Sequence, residues 1–251
     1  MVRLTSLAAL VAAATVSHAR TPPGFLPATQ TDLIVEYNGF IAMSGAVIPR
    51  NTTIPQPRIG TLTRLPGRSY AVLMIDLDIP TDTPPQTNTL LHWAQTGLTP
   101  ANTPTRLNTT TGQISVFLLE NSTNTAPILG YFGPNPPARI PLSHRYTQIL
   151  IDTSDSDVED ITAIRTAAAT IRGFNALTVL TAADLEDKVV AGNFYNVTNP
   201  GPVNGTTTPS GTGTGTGGGA ATNTPAGAGT GRVMVPASLI AVVTGAMFLA
   251  L

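Results

Sequence analysis

Residues 70–93 read YAVLMIDLDIPTDTPPQTNTLLHW, an apolar run that turns into two carboxylates and a proline, crosses a Pro/Thr loop and ends on His92-Trp93. The opening run has the length and apolar density of a buried strand. Side chains alternate along a strand, so Asp76 and Asp78 are expected on one face with Tyr70, Val72 and Met74, and Ala71, Leu73, Ile75 and Leu77 on the other. Carboxylates are seldom buried without partners. The end of this strand is therefore either a hydrogen-bonded structural turn or the wall of a polar pocket.

Composition narrows what such a pocket serves. The 251 residues carry 13 basic and 14 acidic side chains, a formal net charge of -1 and a single lysine, Lys188. Neutralising nucleic-acid phosphates takes clustered Lys and Arg, so no nucleic-acid partner is expected. There is no cysteine, so the fold is held by its core and not by disulfides.

The two ends read as processing signals. Residues 1–19 combine Arg3, an apolar stretch over 4–16 and Ser17-His18-Ala19, the pattern of a cleaved signal peptide. Residues 20–199 are expected to form one domain. Residues 200–232 are Thr, Gly, Pro and Ala without apolar periodicity, which predicts a flexible tether with threonines suited to O-glycosylation. Gly213, Gly215 and Gly218 match a dinucleotide fingerprint in spacing only, since neither strand nor helix is predicted around them. Residues 233–251 are almost wholly apolar and read as a GPI-attachment signal, with the attachment residue expected among 217–223; a spanning helix is the alternative. Asn51, Asn108, Asn121, Asn196 and Asn204 each open an N-glycosylation sequon.

Within the domain, strands are predicted over 33–37, 46–48, 70–76, 90–96, 113–119 and 144–152, with Asn38-Gly39 as a turn. Trp93 is expected on the face opposite His92. Residues 98–111 read as an exposed loop, and 131–137 as a stiff segment of aromatic, glycine and proline. Ser156 and Glu159 predict a capping box for a helix ending at Gly173, and Thr181 with Asp184 predict the cap of a shorter helix running to Val190.

Familiar catalytic motifs are missing: there is no Gly-x-Ser-x-Gly elbow, no His-Glu-x-x-His, no Walker loop and no cysteine nucleophile. Once the leader is gone, the histidines are His92 and His144, each at the edge of a predicted strand. If their strands flank the central one, His92, His144, Tyr146, Asp76 and Asp78 converge. Such a set offers imidazole and phenol donors to an anion, with a carboxylate to orient a histidine or meet an ammonium. The same residues can hold a metal, though their dispersed spacing lends that no support, and each histidine can equally be a packing residue.

Three co-linear motifs add to this reading. Asp76-x-Asp78-x-Pro80 with His92-Trp93, then Tyr131-x-Gly133-Pro134-x-Pro136-Pro137 with His144-Arg145-Tyr146, then Arg172-Gly173-Phe174 and Ala191-Gly192-Asn193-Phe194-Tyr195 resemble the signatures of the phosphatidylethanolamine-binding protein (PEBP) family. The resemblance spans residues 33–195. It implies a mainly β fold, a large antiparallel sheet packed on a smaller one with helices near the C-terminus. It also implies a shallow pocket for phosphate-like headgroups at Asp76, His92, Gly133, Pro134, His144 and Tyr146, with Asp78 and Arg145 as a structural pair. The expected function is a non-catalytic, cofactor-free binding module for phospholipid headgroups or similar anions. The alternative is a regulator of a protein partner, such as a peptidase inhibitor or signalling scaffold. With the leader, tether and tail, the resemblance is to a secreted, GPI-anchored member of the kind that walled cells such as fungi display.

Overall fold

The computed structural model describes residues 20–109, 112–199 and 201; the leader, the rest of the tether with Asn204, and the apolar tail lie outside them. Nine strands and two helices follow one another as β1 (Ile34–Tyr37), β2 (Phe40–Ile41), β3 (Arg58–Thr61), β4 (Tyr70–Pro80), β5 (Thr87–Pro100), β6 (Thr105–Thr109), β7 (Gly112–Glu120), β8 (Ser143–Asp152), α1 (Val158–Ala168), α2 (Ala176–Ala182) and β9 (Val189–Thr198). Strand pairing runs β2-β1-β3-β7-β5-β4-β8-β9, every ladder antiparallel, with β6 also on β7.

The path folds back on itself at a weak joint. β5 and β7 pair only at Thr99–Glu120 and Pro100–Leu119, so the four long strands β5-β4-β8-β9 form one sheet and the shorter strands around β7 a second. Between them lies a core built from both, including Val35, Tyr37, Ile59, Val72, Met74, Trp93, Leu150 and Tyr195. The other face of the long sheet buries Ala71, Leu73, Ile75, Ile149 and Ile151 against Ile164, Phe174 and Leu180 of the helical region. β4 is thus covered on both faces, which is why its sequence is apolar almost throughout. From Tyr70 to Leu77 both faces keep the predicted alternation; beyond an irregularity between Asp76 and Ile79, Asp78 turns to Arg145 and does not join Asp76 at the histidines. Among the described residues, the buried members of all three clusters lie within residues 33–197, and Phe25 packs against the second.

The open edge of β9 meets the N-terminal segment. Leu33 donates its amide to the Gly192 carbonyl (2.8 Å), Gly192 donates to Thr31 (2.9 Å), and Ile48 donates to Asn196 (2.8 Å). Gly192 is required there: a Cβ would lie 2.8 Å from Thr29 Cγ2 and 2.9 Å from Thr21 Cγ2.

Several local expectations give way to tertiary pairing. Residues 46–48 are not a strand of their own; Val47 makes one parallel bridge to Asn196, and the hairpin partner of β1 is β2. The loop expected at 98–111 holds the end of β5 and all of β6, which pairs with β7 over five positions. Helix α1 is capped one residue later than predicted, by a box of Asp157 and Asp160, since those two side chains meet the amides. It ends near Ala168. Gly173, with φ +76°, is therefore not its cap but the bend that sends its amide to the Thr89 carbonyl. The last predicted helix is also displaced: Asn175 caps α2, and Val189, Val190 and Gly192 belong to β9, where β8 offers a full ladder.

Candidate ligand site

The chemistry-bearing residues meet at one end of the long sheet, where three neighbouring strands each deliver a side chain. Asp76 of β4 stands directly opposite Tyr146 of β8, and antiparallel pairing puts such side chains on the same face. His144 precedes Tyr146 by two residues and so shares that face. Its Nδ1 lies 2.8 Å from Asp76 Oδ2, and Asp76 Oδ1 also accepts the Asp78 amide at 2.8 Å.

His92 arrives by a different device. In the β4–β5 ladder Met74 faces Trp93 but Ile75 faces Leu91, so His92 is the extra residue of a bulge. The bulge overturns the expectation that His92 and Trp93 point to opposite faces. Trp93 packs in the inter-sheet core against Tyr131 (ring centroids 6.0 Å), while His92 meets Tyr146 edge-on at 5.2 Å. The His92 Nδ1 lies 2.8 Å from the Phe132 carbonyl, and the Phe132 ring lies over the imidazole at 4.2 Å.

Asp76, His92, His144 and Tyr146 are all buried, yet their outward valences are not used. Nε2 of His92 and Nε2 of His144 have no hydrogen-bond partner, and the Tyr146 hydroxyl makes no well-formed bond although the Asp76 carboxylate and the Asn135 backbone are beside it. A buried polar group left unpaired costs about 1–3 kcal/mol, so three on neighbouring side chains call for an explanation, and a bound guest is one.

The tautomers follow from the partners. A carbonyl or carboxylate only accepts, so both Nδ1 atoms carry hydrogen, and Nε2 is the ring nitrogen left to meet a guest. Burial pulls the His92 pKa below its ordinary 6.5, partly offset by the Phe132 carbonyl and Asp76. The Tyr146 phenol is pushed well up, first by burial and then by the Asp76 charge, so it stays a donor.

Asp78 and Arg145 meet in a two-pronged pair: Nε to Oδ2 at 2.8 Å, Nη2 to Oδ1 at 2.7 Å, with the Arg145 amide adding a third bond at 2.8 Å. Its hydrogen bonds to Asp78 raise the Arg145 pKa further. Arg145 leaves the opposite face of β8 from His144 and lines a cleft of about 540 Å³ with Leu77, Phe174 and Leu177, away from the histidines. Gly133 and Pro134 follow Phe132, whose carbonyl and ring rest on His92. Gly133 is packed on the turn before it, where a Cβ would lie 2.6 Å from the Thr53 carbonyl oxygen, and Pro134 is buried. Phe132 is the residue that covers the site and that motif spacing leaves unmarked. Its only sequence signal is an aromatic side chain beside Gly133. Among the described residues no group of three or more His, Asp or Glu is arranged to hold a metal ion.

With fold and geometry in hand, comparison with known proteins assigns the class. The profile of the family described as phosphatidylethanolamine-binding protein matches residues 38–195, well over half of the sequence, and the chain belongs to that family. No curated protein matches it significantly. Among solved structures, the phosphatidylethanolamine-binding protein from Plasmodium vivax is similar at 20% identity and TM-score 0.50, over 70% of this chain and 91% of that one. Its Plasmodium falciparum counterpart is similar at 20% identity and TM-score 0.48, over the same shares. A carboxypeptidase Y inhibitor, solved with its cognate proteinase, is similar at 17% identity and TM-score 0.47, over 68% of this chain and 84% of that one.

Proposed function

We propose that this protein is a non-catalytic binding module whose buried His92–His144–Tyr146 set takes a phosphate-like group, that of a phospholipid headgroup above all. The observation that carries this is that His92 and His144 pack on Tyr146, with ring centroids 5.2 and 6.4 Å away, and that the Nε2 atoms and the phenol hydroxyl of these buried rings lack partners among the described residues. Asp76 is occupied in holding His144. The read-out signal peptide and apolar tail would place the module at a cell surface on a GPI anchor.

Because both Nδ1 atoms already donate inward, the site accepts a fully ionised phosphate only by gaining a proton on an imidazole or by receiving one from the ligand. A ligand ammonium, by contrast, donates to a neutral Nε2 directly. Phosphorylethanolamine carries both groups.

The test replaces His144 by Asn, whose side-chain amide reproduces the Nδ1–H toward Asp76 and deletes Nε2. Calorimetry of residues 20–201 with phosphorylethanolamine is expected to show at least a tenfold loss of affinity in His144→Asn. Unchanged binding in this variant, with an unchanged melting curve, would remove the reading. The second reading, regulation of a protein partner such as a peptidase, would be favoured by recovery of one partner that His144→Asn does not weaken.

A further inference from the structure

The face of the long sheet opposite the histidines is not fully covered. Residues 23–26 of the lead-in and the first turn of α2 stand on either side of the 540 Å³ cleft, whose volume lies within the ~300–1,000 Å³ usual for small-ligand sites. Its walls are apolar. Phe174 is buried, Phe25 and Leu77 are half-buried, and Leu26 and Leu177 stand 55% and 37% exposed. Both walls are pinned, so the space between them is preformed. On one side Phe25 donates its amide to the Pro22 carbonyl (3.1 Å), and Thr29 donates its amide to Thr21 Oγ1 (3.2 Å). On the other, Gly173 donates to the Thr89 carbonyl (2.9 Å), and Thr89 Oγ1 donates to the Phe174 carbonyl (2.8 Å).

Among the described residues that line the cleft, Arg145 alone is charged, and its side chain is 39% exposed. A guanidinium carries five N–H donors along two usable edges. Asp78, which does not line the cleft, takes the edge formed by Nε and Nη2. Nη1 has no hydrogen-bond partner among the described residues, so the edge formed by Nη1 and Nη2 is left toward the cleft. Two parallel N–H groups on that edge match the two oxygens of a second carboxylate. Because Asp78 already offsets the guanidinium charge, a monoanion gains these bonds with little added repulsion, whereas a phosphate dianion meets more. The apolar walls suit a ligand whose remainder is apolar. We propose that this cleft binds a small monocarboxylate with an apolar body, the carboxylate on the Nη1–Nη2 edge of Arg145 and the body between Leu26 and Leu177. This site is separate from the histidines and does not rest on the headgroup reading.

Equilibrium dialysis of the full chain is to be run with 4-phenylbutyrate and with its neutral amide. Saturable binding of the acid is expected, at least tenfold tighter than that of the amide. Replacing Asp78→Asn together with Arg145→Gln keeps a neutral hydrogen-bonding pair and strands no charge. It should weaken binding of the acid at least tenfold and spare the amide. Leu177→Asp, at an exposed lip of the cleft, should weaken both, and it keeps the test decisive should the double variant fail to fold. Photolysis of 4-benzoylphenylacetate on the wild-type chain locates the ligand: the label should fall on the peptides that carry Leu26 or Leu177. Absence of saturable binding, equal affinity for acid and amide, or label gathered around Phe132 overturns the proposal. Acid binding that Leu177→Asp leaves unchanged, or that a folded double variant retains in full, overturns it as well.

Discussion

The protonation state of two buried imidazoles sets what this site holds. Each has spent its Nδ1 hydrogen on an acceptor, Phe132 O for one ring and Asp76 for the other. Binding of a phosphate dianion should therefore draw protons from solution. Calorimetry near pH 7.5 in buffers of different ionisation enthalpy should report an uptake of up to about one proton, because the lowered pKa leaves His92 uncharged beforehand. Uptake of zero at that pH would sink the tautomer assignment. The same depressed His92 pKa links stability to pH. The unfolded chain binds this proton below about 6.5 while the folded chain declines it, so stability is complete above that value and falls as the pH drops toward the lowered folded value. Urea titrations between about pH 5 and 7.5 should show the loss in the wild type and a flatter profile in His92→Gln. At the neighbouring ion pair, Asp78→Ala strands a cation that is partly open to water. Its cost is expected near 2–3 kcal/mol in chemical denaturation, below the range for a fully buried pair.

At the scale of elements, the bulge in β5 decides the site. Without the extra residue, strict alternation would send His92 away from the face that holds Trp93, and the candidate site would lack a member. Sequence alternation alone gives that wrong assignment, because a bulge is fixed by the registers of β4 on both sides. The β9 edge has a comparable dependence on one position. Gly192→Ala brings a methyl within 3.0 Å of Thr21 and Thr29, and the docked N-terminal segment must shift to admit it. Thermal or urea unfolding of that variant is expected to show a loss of about 1–3 kcal/mol, the usual penalty of overpacking. A variant as stable as the wild type would mean that the lead-in is not firmly seated on β9.

For the whole molecule, two sheets joined at a two-residue ladder create the inter-sheet core, and the site sits where that core runs out at the strand ends. The strands β4, β7 and β8 were legible because their apolar runs are long and bounded by turn residues. β6 was not, since five residues of Thr, Arg, Leu and Asn become a strand only when β7 offers a ladder. The helices were found as a region and misplaced by a few residues, because Asp157, Asn175 and neighbouring polar residues compete for the same capping role. The sequence by itself determined the class of fold and the residue types that carry chemistry, since alternation, motif order and the charged strand end are local properties. Only the tertiary structure decided which nitrogen of each histidine remains free, that Asp76 is spent on His144, and that Phe132 rests on His92. Those outcomes depend on strand register and on loops approaching from 40 or more residues away, and no local pattern encodes either.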